Sequence, residues 1–181
     1  MSSKTFDIFE GIDLKNVSRF SLEGTTYDCG VYLGDLSDID EEKTKSDVYD
    51  GDTLHIVIMY LNVPHKFTIR MLGIDSPERR PTWKQLSPDG SGTVRVSDEI
   101  HALEKKEALN SRNALKRHLN KQKLRVKFGK NDKYGGRILA NLFIIKVTDG
   151  IESEENISDW MIENNYAVKY FGGKKKAFIA K

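Results

Sequence analysis

Two runs of β-branched and aromatic residues dominate the chain: Thr53-Leu-His-Ile-Val-Ile-Met-Tyr60 and Lys66-Phe-Thr-Ile-Arg-Met-Leu-Gly-Ile74. Residues of this kind fit a pleated, half-buried surface, so both runs read as strands. The link Leu61-Asn-Val-Pro-His65 reads as a turn, because Pro64 has no N–H to give a central ladder. A chain containing this pair must bury its apolar face in a sheet-based core.

More elements follow from the same logic. Leu124-Arg-Val-Lys-Phe128 alternates, which turns Leu124, Val126 and Phe128 inward. Ile138–Val147 and Tyr166–Phe171 are further strands, and Phe20–Leu22 with Tyr27–Leu33 read as a pair around the turn Glu23-Gly24-Thr25-Thr26. Ser97 is placed to cap a helix, with Asp98 and Glu99 favourable in its first turn. That helix should reach about Lys121, with Ile100, Leu103, Ala108, Ser111, Leu115 and Leu119 on its inner face. A second helix is expected over Ile157–Asn164. Residues 1–24 are weakly patterned, apart from Phe6, Ile8, Phe9, Ile12 and Leu14. Asp35–Glu42 reads as an acidic surface loop without the glycine and distal glutamate of an EF-hand. Residues 79–96, holding Pro81, Pro88, Gly90 and Gly92, read as a long irregular loop. Strands, then helix, hairpin and helix, predict an α+β, mainly β fold: a five-stranded OB-type barrel with two or three helices packed on it.

Composition narrows the setting. The 181 residues suffice for one domain with a sizeable core, and 38% hydrophobic with 31% charged content is ordinary for a globular protein. No apolar run approaches the ~20 residues that span a bilayer. The first ten residues lack the apolar stretch of a secretory signal, so an intracellular or viral setting is expected, with no membrane partner. Cys29 is the one cysteine, which excludes an internal disulfide and a thiolate zinc site. No histidine pair has metal-ligand spacing. Net charge is +2, but residues 1–100 carry 11 Lys/Arg against 18 Asp/Glu, and residues 101–181 carry 18 against 9. The basic excess is densest from Lys105 to Arg137. It reads either as a solvated helix face followed by a charged strand or as a track for a phosphate backbone.

Three segments carry chemistry-bearing residues. Asp50-Gly51-Asp52-Thr53 is either a tight turn or a turn that presents Asp52 to a hard cation. In Arg70-Met-Leu-Gly-Ile-Asp75-Ser76-Pro77-Glu78, Arg70 and Asp75 would face opposite sides of an unbroken strand. A bend at Gly73 would bring them to one site, and Pro77 keeps Ser76 extended. Asp132-Lys133-Tyr134-Gly135-Gly136-Arg137 is either a glycine turn or an arginine fork over a phosphate, with Tyr134 as a stacking face.

Taken in order, Val-Tyr-Asp-Gly-Asp-Thr, Arg-Met-Leu-Gly-Ile-Asp-Ser-Pro-Glu and Asp-Lys-Tyr-Gly-Gly-Arg-Ile-Leu-Ala resemble the staphylococcal nuclease (thermonuclease) family. Trp160–Tyr170 resembles its second helix and following strand. The resemblance spans residues 46–171, leaving 1–45 as an N-terminal extension and 172–181 as a basic tail. It implies a calcium-dependent nuclease, endonucleolytic and of low sequence specificity, which hydrolyses phosphodiester bonds of DNA and/or RNA. Asp52, Asp75 and the main-chain carbonyl of Ser76 would hold Ca2+. Glu78 would orient the attacking water or take its proton. Arg70 and Arg137 would grip the scissile phosphate, while Lys133 and Tyr134 would lie beside the nucleotide. Sequence-tolerant stacking and phosphate contacts imply a preference for single strands, and a monomer is expected.

Several positions depart from the family pattern. Serine replaces the usual threonine at residue 76. Two glycines precede Arg137 where the family commonly has one. The family's C-terminal helix is not evident after Gly173. Trp83, in the long loop, either stacks on a base or pins the loop to the barrel. The alternatives are a non-catalytic nucleic-acid-binding module, as in Tudor-type relatives that keep the fold and lose the active-site residues, and a protein-interaction OB domain.

Overall fold

The computed structural model describes residues 21–37, 45–87, 91–132 and 136–173. Along them run β1 (Thr26–Gly30), β2 (Thr53–Tyr60), β3 (Val63–Met71), β4 (Ile74–Asp75), β5 (Lys84–Leu86), β6 (Thr93–Arg95), α1 (Asp98–Leu119), β7 (Lys123–Asn131), β8 (Ile138–Thr148), β9 (Ile151–Asn156), α2 (Ile157–Glu163) and β10 (Val168–Lys169). The main sheet runs β3-β2-β1-β7-β8-β9. β8 pairs with β7 along one edge. Its other edge pairs with β9 at its C-terminal half and, in parallel, with β3 through Ile69↔Ile138, Arg70↔Leu139 and Met71↔Ala140. That parallel contact closes β1, β2, β3, β7 and β8 into the expected five-stranded OB-type barrel, with the two helices packed on it.

The core follows the strand alternation. Leu54, Ile56 and Ile58 from β2, Ile69 and Met71 from β3, Leu124, Val126 and Phe128 from β7, and Ala140, Leu142 and Ile144 from β8 fill the interior. Leu115 and Leu119 of α1, and Ile157 and Met161 of α2, belong to the same cluster. Each large apolar side chain so buried contributes about 1.5–3 kcal/mol. Ser97 caps α1, its hydroxyl accepting from the Ile100 N–H at 3.3 Å, and Asn156 caps α2 by accepting from Ser158.

Four readings of the sequence need correction. The turn after β2 is only Leu61-Asn62, with φ of 50° and 62°, and Pro64 lies inside β3 opposite Met59. In a two-residue hairpin the pair flanking the loop exchanges hydrogen bonds and the next does not, so Pro64's missing N–H falls on an unpaired edge. Residues 21–25 form a turn leading into β1, with Gly24 at φ 81°, and Ser21 and Leu22 are not in a strand. The long loop contains a small ribbon, β5 with β6. β9 was not anticipated; Asp149-Gly150, with φ of 52° and 79°, makes a second two-residue hairpin into it. Its acidic sequence hides a strand whose Glu152 and Glu154 meet Arg125 on the outer face. The apolar residues noted before Phe20, Phe20 itself and the acids from Asp38 to Glu42 lie outside the described residues.

Candidate active site

The Asp50–Thr53 segment is a turn of a particular kind. Val48 bridges to Leu54, and the N–H groups of Tyr49 and Asp50 donate to the Thr53 carbonyl at 3.0 and 3.2 Å. Inside the turn, Asp50 Oδ1 accepts from the N–H groups of Asp52 and Thr53 at 3.1 and 2.7 Å. Gly51 is there for want of space: a Cβ would lie 1.9 Å from Ser111 Oγ and 2.7 Å from Ser76 Cβ. The turn is thus pressed between α1 and the strand end that carries Ser76.

α1 also grips the turn from below. Arg112, fully buried, donates from Nε to the Val48 carbonyl at 3.0 Å and from Nη2 to Ser46 Oγ at 3.1 Å. Ser111 Oγ donates to the Tyr166 carbonyl at 2.9 Å. Neither residue stood out in the sequence except as part of a helical face.

On the other side of the turn the chain bends. Gly73 takes φ 82° between β3 and β4, a backbone conformation that costs glycine least. The bend places Arg70 and Asp75 on one site. The Arg70 fork lies on Asp52, Nη1 to Oδ1 at 3.1 Å and Nη2 to Oδ2 at 2.9 Å, while Nη2 also meets Asp75 Oδ1 at 2.7 Å. One oxygen from each aspartate therefore converges on the same point. Asp52 further accepts from the Thr53 hydroxyl at 2.9 Å and from the Ser76 N–H at 3.2 Å. Two residues beyond Ser76, the Glu78 N–H donates to Glu104 Oε1 of α1 at 3.4 Å.

Burial sets the charge state of this cluster. It pushes the Asp50 carboxyl up to about 8, helped by the negative Asp52 beside it. Burial raises Asp52 as well, although the Arg70 charge, the Thr53 hydroxyl and the Ser76 N–H all favour its ionised form. For Arg70, burial alone would lower the value, but Asp52 and Asp75 outweigh it and hold the guanidinium firmly charged.

Asp52 and Asp75 thus meet one guanidinium, with Asp50 bonded into the turn beside Asp52. That surplus of hard oxygen donors, two of them converging, suits a hard divalent cation in donor type and charge. Among the described residues no group of three or more His, Cys, Asp and Glu is arranged to hold a metal by side chains alone. The expected set needs only two carboxylates and a main-chain oxygen, and both carboxylates are engaged here by Arg70.

Of the expected site residues, Asp52, Arg70, Asp75 and Ser76 come together, and Glu78 follows on the same segment. Arg137 does not join them: its Nη2 meets Asp132 Oδ2 at 2.7 Å across the turn before β8. Lys133 and Tyr134 lie outside the described residues. Asp50 and Glu104 were not picked out from the sequence. Asp50 sits within the Tyr-Asp-Gly-Asp motif, and Glu104 gives itself away as an acid one turn before Ala108 on a buried helical stripe.

Other residues stand apart from the cluster. Trp83 stacks on His101 of α1, centroids 3.7 Å apart, with the Arg95 guanidinium 5.6 Å from its ring. It pins the loop to the helix, not to the barrel wall. His118 stacks on Trp160 and bonds Glu155 at 2.5 Å. Burial, with the Asp28 charge, pushes the Cys29 thiol up to about 12, which leaves it without nucleophilic character.

A family model described as staphylococcal nuclease homologue matches residues 68–179, more than half of the chain, and the protein belongs to that family. Membership makes the barrel a nuclease-like, nucleic-acid-binding module. The matched stretch includes Arg70, Asp75, Ser76, Glu78 and Arg137 and begins after Asp52. No curated protein matches the chain.

Proposed function

We propose that this protein is a calcium-dependent nuclease hydrolysing phosphodiester bonds of DNA and/or RNA, with low sequence specificity and a preference for single strands. Endonucleolytic action by a monomer fits this reading. The observation that carries it is the buried cluster in which Asp52 and Asp75, from two separate segments, aim oxygens at one point beside Arg70. Asp52, Asp75 and the main chain at Ser76 are the residues to hold calcium, which when bound supplies a Lewis acid and loosely held water.

The chain's own groups divide the remaining work. Glu78 is the acceptor for a proton from the attacking water, its backbone fixed by Glu104. Arg70, here shared between carboxylates, is assigned to the phosphate, which its fork matches bidentately. Arg137 has to exchange Asp132 for a phosphate oxygen to act with it. Neither arginine serves as an acid, since guanidinium hardly releases its proton. Lys133 and Tyr134 are assigned to the bound nucleotide as contacts.

A second reading, a barrel that binds nucleic acid without cutting it, is favoured by the same ion pairs. Arg70 and Arg137 are already satisfied by acids. Labelled single-stranded DNA and RNA, incubated with Ca2+ or with EDTA, separate the two. Calcium-dependent cleavage that Glu78→Gln and Arg70→Ala both lose supports the enzyme. Binding without cleavage, indifferent to calcium and to both variants, overturns it.

A further inference from the structure

Beside the candidate site, the N-terminal half of α1 and the segment after Glu78 enclose a groove of about 290 Å³. Its lining is Arg79, Ala102, Lys105, Lys106 and Leu109. One wall of the groove continues in the chain from the site. Arg79 follows Glu78 in the chain, and its Nη1 donates to the Tyr49 carbonyl at 3.2 Å while Cζ lies 5.2 Å from the Tyr49 ring. Tyr49 immediately precedes Asp50. On the helix side, Glu104 takes the Glu78 N–H, and Lys105 is the next residue.

The structure also divides up the basic excess read from the sequence. Arg112 and Lys116 are buried. Arg125 and Lys123 are tied to Asp28 and Glu152 on the outer face of the sheet. Lys105 and Lys106, in the N-terminal half of α1, are exposed and line the groove. A groove lined by Ala102, Leu109 and three cations, one of them Arg79 in contact with Tyr49, matches a sugar–phosphate chain in charge and form.

We infer that this groove carries the stretch of single-stranded nucleic acid flanking the nucleotides in the site. Phosphates lie against Lys105, Lys106 and Arg79, sugars lie over Ala102 and Leu109, and a base lies near Tyr49. The inference rests on the reading of the site as one for nucleic acid, and it makes affinity depend on substrate length. Three-nucleotide strands fill the site alone, whereas twelve-nucleotide strands reach the groove.

The test is fluorescence anisotropy with labelled single-stranded DNA 3-mers and 12-mers, in EDTA so that nothing is cut, from 50 to 200 mM salt. Each phosphate contact contributes roughly 0.7 to the salt slope for single strands. The Lys105→Ala/Lys106→Ala variant is therefore expected to lose about 1.4 of slope, so that its deficit in 12-mer affinity is about sevenfold larger at 50 mM than at 200 mM salt. The 3-mer should lose less. As a charge-matched control, Lys121→Asn/Lys127→Ala removes two lysines elsewhere, with asparagine chosen because Lys121 has φ 58°.

Unchanged 12-mer affinity and slope in the groove variant overturn the inference, as does an equal loss in the control. Displacement of the 12-mer by oligo-glutamate of equal charge and concentration, as readily as by unlabelled DNA, points to an acidic peptide and overturns it too. If only the groove is wrong, wild type still cuts in calcium. If wild type neither binds the 12-mer nor cuts it, the reading of the site falls with the groove.

Discussion

Replacing Arg112 with alanine should unmake the site without unfolding the barrel. The guanidinium sits 2% exposed beneath the turn that carries Asp52, bonded to the Val48 carbonyl and to Ser46 Oγ at 3.0 and 3.1 Å. Hydrogen bonds from a charged donor contribute about 1.5–3 kcal/mol each, and truncation also leaves a cavity beneath the turn, where the Val48 carbonyl keeps only the Ser46 hydroxyl at 3.2 Å. A loss of roughly 3–5 kcal/mol is expected, within the ~5–15 kcal/mol that a domain of this size usually holds. Urea denaturation followed by circular dichroism reads this directly, and the denaturant slope should not change. The turn, released from α1, then holds Asp52 less accurately against Arg70 and Asp75. A displacement of about 1 Å at a catalytic group costs on the order of 100-fold in rate. Cleavage in saturating calcium should fall by that order at temperatures where the variant is fully folded. A stability loss under 1 kcal/mol, or full cleavage from a folded Arg112→Ala protein, would refute the reasoning that this buried arginine holds the turn.

Other outcomes follow from the same geometry. Asp50 titrates at about 8 when folded, above its ordinary 3.8, so protonation stabilises the native state. That stabilisation is present below pH ~4 and lost as pH rises toward 8, at about 1.4 kcal/mol per unit. In EDTA, wild type should therefore lose about 2–3 kcal/mol between pH 5 and 7 relative to Asp50→Asn, and a constant difference would show that Asp50 is ionised throughout. Gly51→Ala brings a Cβ into Ser111 and Ser76 and should cost about 2–4 kcal/mol, read as a lower Tm. Ser111→Gly should restore only part of it, because Ser76 remains in the way. Cys29, its thiol held up at about 12, should resist iodoacetamide in the native protein at pH 8 and react once urea unfolds it.

What the sequence disclosed was the part of the fold governed by local chemistry. β2, β3 and β7 showed through their β-branched alternation, and α1 through Ser97 and the acids behind it. The Gly73 bend was legible because Arg70 and Asp75 have no other way to meet. Less visible was anything that depended on a partner distant in the chain. Pro64 sits in a strand because its neighbour on one side is missing, which no local pattern records. β9 is polar because it covers only an outer face and trades charges with β7. Arg112 and Lys116 looked like ordinary solvated residues, yet both are buried, Arg112 beneath the turn. The Arg137–Asp132 pair likewise became apparent only in three dimensions, although both residues belong to one short motif.

The barrel closes through three residue pairs between β3 and β8, and the middle one is Arg70 with Leu139. Sixty-nine residues separate the paired positions, fewer than the 95 to 101 between β1 and β7 but far more than in the hairpins, so the seam forms after the local hairpins during folding. The antiparallel pairings on either side can persist while the seam is open. Arg70 then has its aspartates nearby but no wall behind it. A ligand that binds the closed ring better than the open one stabilises the seam by RT ln(1 + [L]/Kd). Substrate would act on this protein as a clasp, and the seam would be the place where resistance to proteases first rises when nucleic acid is added.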